Sequence, residues 1–385
     1  MDKRTALAGL SGGGLLAAVL LAAGCTEPVG PGPEGRGPGA PQFDVGASGG
    51  IALDQLNGKL GETTTIWQGF HPTNPHLGDA IVVTFFWVGS TNILTRVYDH
   101  LGDANSTPVG NTYNLVEYVT AGGISMATYV ALNVQNFPEG TYPDGSEILV
   151  VQADLASPIQ DGGLTMSAFT GVSTVSTQAL GGSHQASGTG SSYPTVADPG
   201  ALLIDADALA YGVTMSNGVV GVDPPSGFTT ITTSSDANMA TEANYLVQAG
   251  AGSVDPQWSW YFNSPSTWLA TALVLNPAAT QLAFTVQPST TLPFMTIQPP
   301  VKVTALDARG IAVTSFNGPV TIAIAHNGGL LLPGTLSGTK TVTAMNGVAT
   351  FSDLSIDQIG NGYTLQAAAS GLTGAVSAPF NIGPL

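Results

Sequence analysis

The chain has 385 residues, of which 43% are hydrophobic and only 9% are charged, with 50 glycines and 26 prolines. This hydrophobic content excludes a chain that is disordered throughout, and the shortage of charged residues beside so many turn residues favours strands over helices. The 8 basic and 25 acidic residues give a formal net charge of −17, which repels phosphate backbones and excludes nucleic acid as a partner.

Residues 1–25 have the pattern of an export signal. Lys3 and Arg4 precede a short apolar run, which ends in small residues before Cys25. The apolar run is shorter than the roughly 20 residues that cross a bilayer as a helix. The segment Ala22-Ala23-Gly24-Cys25 resembles a bacterial lipobox. That resemblance implies that residues 1–25 are a lipoprotein signal peptide and that Cys25 is the lipidated residue.

The expected location follows from the same resemblance. Thr26 stands where an aspartate is associated with retention in the inner membrane, so we expect an exported, membrane-anchored lipoprotein at the outer membrane or cell surface. The membrane is then a partner through the lipid anchor. Because Cys25 is the only cysteine, no intramolecular disulfide stabilises the fold.

Residues 26–50 are rich in proline and glycine and are predicted to be a flexible tether. Residues 46–50 match the hydrolase pattern G-x-S-x-G. That pattern requires a strained turn between a strand and a helix to expose its serine, and a flexible linker does not supply one. We therefore assign no nucleophile here.

Residues 51–277 are predicted to form a large all-β module. Apolar or alternating segments recur with turn signals between them, and no segment keeps a helical period. Some segments, such as residues 80–83, are apolar on both sides, which is typical of strands buried on both faces. We expect a jelly-roll-like or two-sheet sandwich. The clearest predicted strands are residues 80–88, 111–119, 126–134, 147–155, 201–211 and 267–276.

Four short motifs in this module carry a second resemblance. They are GDAIVV at 78–83, GNTYNLV at 110–116, SGFT at 226–229 and STWLA at 266–270. Together they resemble a large, poorly characterised group of extracellular bacterial β-sandwich modules. The resemblance covers the whole segment and implies a fold rather than an activity.

Residues 281–385 are predicted to form an immunoglobulin-like β-sandwich. Short strands at 301–306, 320–325, 342–344, 348–351 and 363–367 alternate with four Asn-Gly turns, at residues 317, 327, 346 and 361. The segments LAFTVQP at 282–288, VTALDARG at 303–310 and NGVATF at 346–351 resemble bacterial Ig-like repeats of surface and adhesin proteins. This resemblance implies a spacer or an adhesive module. Tyr363 is expected to act as a structural tyrosine corner, its hydroxyl bonded to nearby backbone.

One aromatic pattern is a candidate binding site. Trp258, Trp260 and Phe262 alternate, so on a strand their rings project from one face in steps of about 7 Å. Exposed, such a row would stack on sugar rings; buried, it would be core, with Trp268 packing across the sheets. The alternation favours the core interpretation. The solvent exposure of the three rings distinguishes it from a sugar-stacking site.

No residue is assigned to a metal or cofactor. His71, His76 and Asp79 have the nearest metal-ligand spacing, but a loop rich in Pro and Asn fixes no common face, so a surface loop is favoured. A turn containing Asp99, Asp103 and Asn105 offers oxygen ligands for Ca²⁺ but lacks the EF-hand spacing, so a solvated turn is favoured there.

Two further constellations lack a chemical partner. Asp205 and Asp207 share one face of a predicted strand without a visible acid–base partner. Ser183 and His184 are neighbours in a predicted Gly-rich loop, and adjacency in sequence does not make a catalytic triad.

The sequence thus favours a non-enzymatic cell-surface lipoprotein with an adhesive or envelope-structural role. The alternative is a carbohydrate-binding surface lipoprotein, and a third hypothesis is an extracellular glycan-active enzyme with two carboxylates in a groove. The expected partners are the membrane, through the lipid, and a glycan or a surface protein.

Overall fold

The computed structural model describes residues 50–383, which are built almost entirely from antiparallel strands. The predicted all-β fold is confirmed. The described residues contain no helix that is long and apolar enough to cross a membrane.

Residues 52–170 form an eight-stranded unit. One sheet has five strands in the order β1-β8-β3-β6-β5, and the other has three in the order β2-β7-β4. This is the strand order of a jelly roll, in which strands 1, 8, 3 and 6 lie in one sheet and strands 2, 7 and 4 in the other. The strands are β1 (Ala52–Leu60), β2 (Thr65–Gly69), β3 (Ala80–Val88), β4 (Leu94–Leu101), β5 (Asn114–Ala121), β6 (Ile124–Ala131), β7 (Leu149–Leu155) and β8 (Gly162–Thr170).

Residues 176–275 repeat this topology. The order β9-β18-β12-β15-β14 matches the first five-stranded sheet, the order β10-β17-β13 matches the first three-stranded sheet, and β11 and β16 form an additional pair. The predicted jelly-roll fold thus occurs twice, once in residues 52–170 and once in residues 176–275. The elements are α1 (Ser176–Ala179), β9 (Leu180–Gly190), β10 (Thr195–Ala197), β11 (Leu202–Ile204), β12 (Leu209–Ser216), β13 (Val222–Asp223), β14 (Thr229–Ser235), β15 (Ala240–Val247), β16 (Gly252–Val254), β17 (Trp258–Trp260) and β18 (Ser266–Leu275).

The two units also share the positions of their β-bulges. The first strand of each unit has a bulge where it pairs with the last strand of that unit. The bulge lies at Asp54 in β1, and in β9 it lies opposite Val274 of β18. The strand at the opposite edge bulges at Val116 in β5 and at Ile231 in β14. Since a bulge alters strand direction at one defined point, these matching positions identify the units as two copies of one architecture.

The two five-stranded sheets pack face to face around a common core. The rings of Phe169 and Tyr211 meet there edge to face, with centroids 6.3 Å apart, and the hydroxyls of Thr128 and Thr271 are 3.2 Å apart. The outer faces of these sheets are covered in turn by the smaller sheets. Strands β3 and β12 are therefore buried on both faces, which explains their nearly continuous apolar sequences.

The remaining strands form a sandwich with a separate core. One sheet has the order β19-β20-β24 and the other β23-β21-β26-β27, with β28 also paired to β26. This is the arrangement of an immunoglobulin-like domain. The strands are β19 (Gln281–Val286), β20 (Val301–Leu306), β21 (Pro319–His326), β22 (Leu336–Ser337), β23 (Thr341–Thr343), β24 (Val348–Phe351), β25 (Ser355–Ile356), β26 (Gly360–Ala368), β27 (Ala375–Val376) and β28 (Phe380–Ile382).

Two predicted local features of this C-terminal module are confirmed. Asn346 and Gly347 have φ values of 48° and 76°, and Met345 pairs with Val348 around them, as in a two-residue hairpin turn. Tyr363 is fully buried, and its hydroxyl donates to the carbonyl oxygen of Gln358 at 3.0 Å. That bond fixes the corner before β26.

Candidate functional site

The predicted lipidation site, Cys25, and residues 26–49 of the predicted tether lie outside the described residues. Lipidation therefore stays a prediction.

The alternating aromatic residues lie in the core beneath the outer sheet of the second jelly roll. Trp258 and Trp260 are 0% exposed and Phe262 is 2% exposed. The indole Nε1 of Trp258 donates to Asn244 Oδ1 at 2.7 Å, and that of Trp260 donates to Thr214 Oγ1 at 3.3 Å. Because their faces and polar edges are already occupied, these three rings are not available to stack on a sugar.

Asp99 has a structural role in the first jelly roll. It is 1% exposed, and it accepts hydrogen bonds from the backbone of Gly110 (2.9 Å) and Asn111 (3.1 Å), from the Asn111 amide (2.6 Å) and from the Tyr113 hydroxyl (3.4 Å). The expectation of a solvated turn is wrong for this residue. Burial raises the pKa of Asp99, and the hydrogen bonds oppose that shift. The carboxylate anchors the segment that carries the GNTY motif.

The other acid–base candidates are engaged in structural contacts. Ser183 and His184 lie on β9 rather than in a loop, and the Ser183 hydroxyl donates to Glu117 Oε1 at 2.6 Å. Asp205 accepts from the Thr314 hydroxyl, and Asp207 pairs with the Arg309 guanidinium. Both aspartates therefore bind the C-terminal module rather than forming a catalytic pair.

An aromatic and polar row crosses the outer sheet of the first jelly roll. Trp67 on β2 and Tyr98 on β4 both lie opposite Gln152 on the central strand β7. The two rings are thus about 10 Å apart, at two strand spacings. Trp67 is 39% exposed. No local sequence pattern marks this row, because its members come from three strands.

Charged groups flank the same row. Lys59 Nζ lies 4.1 Å from the Trp67 ring centroid, and the Arg96 guanidinium lies 3.7 Å from that of Tyr98. Arg96 also pairs with Asp154 at 3.0 Å, and Gln152 Nε2 donates to Asp154 Oδ1 at 2.9 Å. The face therefore combines aromatic rings with fixed hydrogen-bonding groups, the combination that recognises polar ligands with apolar faces.

The outer sheet of the second jelly roll carries a different exposed group. The rings of Tyr193 and Tyr261 stack with centroids 4.1 Å apart, and both hydroxyls donate to Asp223 at 2.9–3.0 Å. The two rings are 51% and 42% exposed, and each covers one face of the other.

The C-terminal module has an apolar surface at the end where β21 finishes. The end where β21 begins carries Asn317 and its contact with Gln178. Seven large apolar side chains on the apolar surface are at least half exposed, including Phe294 at 75% and Leu331 at 94%. We call this surface the apolar pole. Its members are Leu292, Phe294, Met295, Leu330, Leu331, Leu332 and Ile359.

Backbone hydrogen bonds hold the parts of the apolar pole together. The Phe294 amide donates to the Ile356 carbonyl oxygen at 2.9 Å, and the Leu330 amide donates to that of Ile359 at 3.1 Å. One loop is thereby fixed to β25 and the other to the segment between β25 and β26. The backbone that carries Phe294 and Leu330 is therefore held in place.

A surface depression of about 570 Å³ contains two acidic residues, Asp144 and Glu147. Hydrogen bonds from the backbone and side chain of Ser146 lower the pKa of Asp144. An ionised Asp144 does not serve as the general acid that glycoside hydrolysis requires.

Within residues 50–383, one group of side chains has the composition and spacing to hold a metal ion, and it consists of Asp54, His76 and Asp79. Their nearest ligand atoms all lie within 4.8 Å of one another, and His76 Nδ1 is 3.0 Å from Asp54 Oδ2. His71 does not join them, since its Nε2 lies 3.1 Å from the carbonyl oxygen of Pro143. His76 and Asp79 are part of the metal-ligand spacing seen in the sequence. Asp54 is distant in the chain and is not part of that pattern.

Comparison of the chain with protein-family models, curated proteins and solved structures finds no match.

Proposed function

We propose that the protein is a non-enzymatic, lipid-anchored surface protein that adheres through the apolar pole of its C-terminal module. The lipid on Cys25 and the tether over residues 26–50 would hold the folded modules away from the membrane. The adhesive partner would be a protein with a complementary apolar surface.

The observation that carries this proposal is the exposure of the apolar pole. Soluble proteins rarely expose contiguous apolar patches beyond a few hundred Å², and larger patches mark interaction sites. Leu331 leaves 94% of its surface to solvent, yet its loop is bonded in place. A fixed apolar surface is prepared for binding, because little conformational entropy is lost on association.

Charge favours a protein partner over a lipid surface. The formal net charge of −17 repels anionic headgroups, and the lipid anchor would already supply membrane attachment. Apolar contact with a protein does not require positive charge around the patch.

The experiment compares cells that display the full chain with cells that display variants. Leu331→Asp and Phe294→Asp should strongly reduce attachment to protein-coated glass and cell–cell aggregation, because a charge would be desolvated in the contact. Leu203→Asp is the matched control, since Leu203 is 82% exposed on the second jelly roll. Attachment that survives both changes at the pole would contradict the proposal.

A second candidate function is glycan binding by the outer sheet of the first jelly roll. The row of Trp67, Gln152 and Tyr98 favours it, because two rings flank a fixed amide on one sheet face. Trp67→Ala should abolish binding on a glycan array, while Tyr193→Ala, at an exposed ring of the other outer sheet, should leave it unchanged. An array without any bound glycan would remove this candidate.

A further inference from the structure

Asp54, His76 and Asp79 meet because two local features bring distant parts of the chain together. Asp54 is the bulged residue of β1, and the loop between β2 and β3 returns over it just before β3 begins. The backbone amide of His76 donates to Asp54 Oδ2 at 2.9 Å and to Asp79 Oδ2 at 3.2 Å. These bonds hold the two carboxylates against the same point of the loop.

Burial makes the charge of this group costly. Asp79 is 2% exposed, and the Asp54 side chain is 10% exposed. Two carboxylates at this distance in a desolvated setting cannot both remain charged without a compensating proton or cation.

No lysine or arginine of the described part of the chain forms an ion pair with these two carboxylates. Among residues 50–383, the ion pairs of Lys59, Arg96 and Arg309 are made with other acids, at Glu62, Asp154, Asp207 and Asp307. Among the same residues, the basic side chain in contact with Asp54 is the imidazole of His76, which is 67% exposed. The group thus has two buried oxygen donors and one nitrogen donor that opens to solvent.

We propose that Asp54, His76 and Asp79 bind a divalent transition-metal ion such as Zn²⁺. Imidazole with carboxylates is a ligand set for zinc and its neighbours, whereas Ca²⁺ and Mg²⁺ take oxygen ligands. His76 Nδ1 is the ligand nitrogen because it faces Asp54, and water completes the coordination on the open side. The ion supplies positive charge beside the two buried carboxylates.

The bound ion has a structural consequence. It joins the loop between β2 and β3 to the bulge of β1, at the edge of the first five-stranded sheet. Binding to the folded state alone raises stability with ion concentration.

The test is calorimetric titration of the untagged full chain in detergent after chelator treatment and removal of the chelator. Zn²⁺ should bind at one site per chain and raise the melting temperature, and Mg²⁺ or Ca²⁺ at the same concentration should not. His76→Ala should weaken Zn²⁺ binding at least tenfold, and Asp54→Asn should weaken it as well. Because the His76 side chain is largely exposed, His76→Ala should keep the melting temperature of the metal-free protein.

His71→Ala is the matched control, because His71 is an exposed histidine of the same loop whose ring contacts a carbonyl oxygen instead of a carboxylate. Its Zn²⁺ affinity should equal that of the unmodified chain. Absence of Zn²⁺ binding in the unmodified chain overturns the proposal, and so does equal binding by His76→Ala and His71→Ala.

Discussion

Arg309 of the C-terminal module pairs with Asp207 of the second jelly roll. The Arg309 Nε also lies 3.8 Å from Asp307 Oδ2, and the side chains of Asp207 and Asp307 are only 7% and 1% exposed. One oxygen of each carboxylate has no hydrogen-bond partner. The guanidinium of Arg309 therefore balances two buried acids, one in the second jelly roll and one in the C-terminal module.

Replacement of this guanidinium should destabilise the protein. Arg309→Met keeps an unbranched apolar stem but leaves both carboxylates uncompensated, so we expect a loss of about 1.5–3 kcal/mol in unfolding free energy. Denaturant unfolding measures it, with Lys302→Met as the control for an exposed cation of the same module. Addition of Asp207→Asn to Arg309→Met should restore part of the loss. Equal effects of Arg309→Met and Lys302→Met would show that the pair contributes nothing.

Truncation of the buried indoles should be among the most damaging single changes. Trp258→Ala and Trp260→Ala should each cost about 3–5 kcal/mol through lost burial and an unfilled cavity. Tyr261→Ala, at the intervening and 42% exposed position, is the matched control and should cost much less. Melting temperatures of the three variants, measured with a glycan screen, check this. Stable tryptophan variants that lose sugar binding would contradict our assignment of these rings to the core.

The C-terminal module should fold in isolation. The fragment 278–385 keeps the hydrogen bonds from Thr280 N to Leu306 O (2.9 Å) and from Thr373 N to Thr280 O (2.8 Å). We expect one cooperative transition and dispersed amide signals. The fragment 281–385, which begins at the boundary predicted from sequence, should be less stable by about 1–2 kcal/mol because it lacks both bonds. Absence of dispersed amide signals from the fragment 278–385 would show that the C-terminal module depends on the second jelly roll for folding.

Membrane association should depend on Cys25. Each buried CH₂ of an acyl chain contributes about 0.8 kcal/mol, so Cys25→Ser should move the protein from the membrane fraction to the soluble fraction. Thr26→Ala, which changes the adjacent residue and keeps the thiol, should stay in the membrane fraction. Cys25→Ser that resists a salt wash would refute lipidation as the anchor.

Sequence patterns predicted strands well where burial is two-sided. The predicted strand 80–88 coincides with β3, because a continuous apolar run bounded by Gly78 and Gly89 has few other interpretations. The glycines around Ser183 and His184 predict a loop, whereas these residues lie on strand β9, which pairs along β18. Its glycines serve close packing, since a Cβ at Gly188 would lie 2.6 Å from Trp268. Glycine needed for close approach and glycine in a loop have the same appearance in a sequence.

The candidate sites were harder to predict because they depend on chain crossings. Asp54 and His76 are 22 residues apart and meet only through a bulge and a returning loop. The three leucines at 330–332 are apolar in sequence whether they are core or surface, and only the closure of the sandwich leaves them outside. Local periodicity identifies faces of strands, not which distant faces become neighbours.

The shared core of the two jelly rolls has a consequence for either copy alone. The two five-stranded sheets pack through corresponding faces. The packed face of the first sheet carries Val82 and Phe169, and that of the second carries Tyr211 and Leu275. Two copies of one architecture thus share a core within one polypeptide, as the subunits of a homodimer do. A single copy would have to find a second molecule to cover that face, at a rate and equilibrium set by concentration. The covalent connection removes this dilution dependence, so the pairing persists even for one isolated molecule.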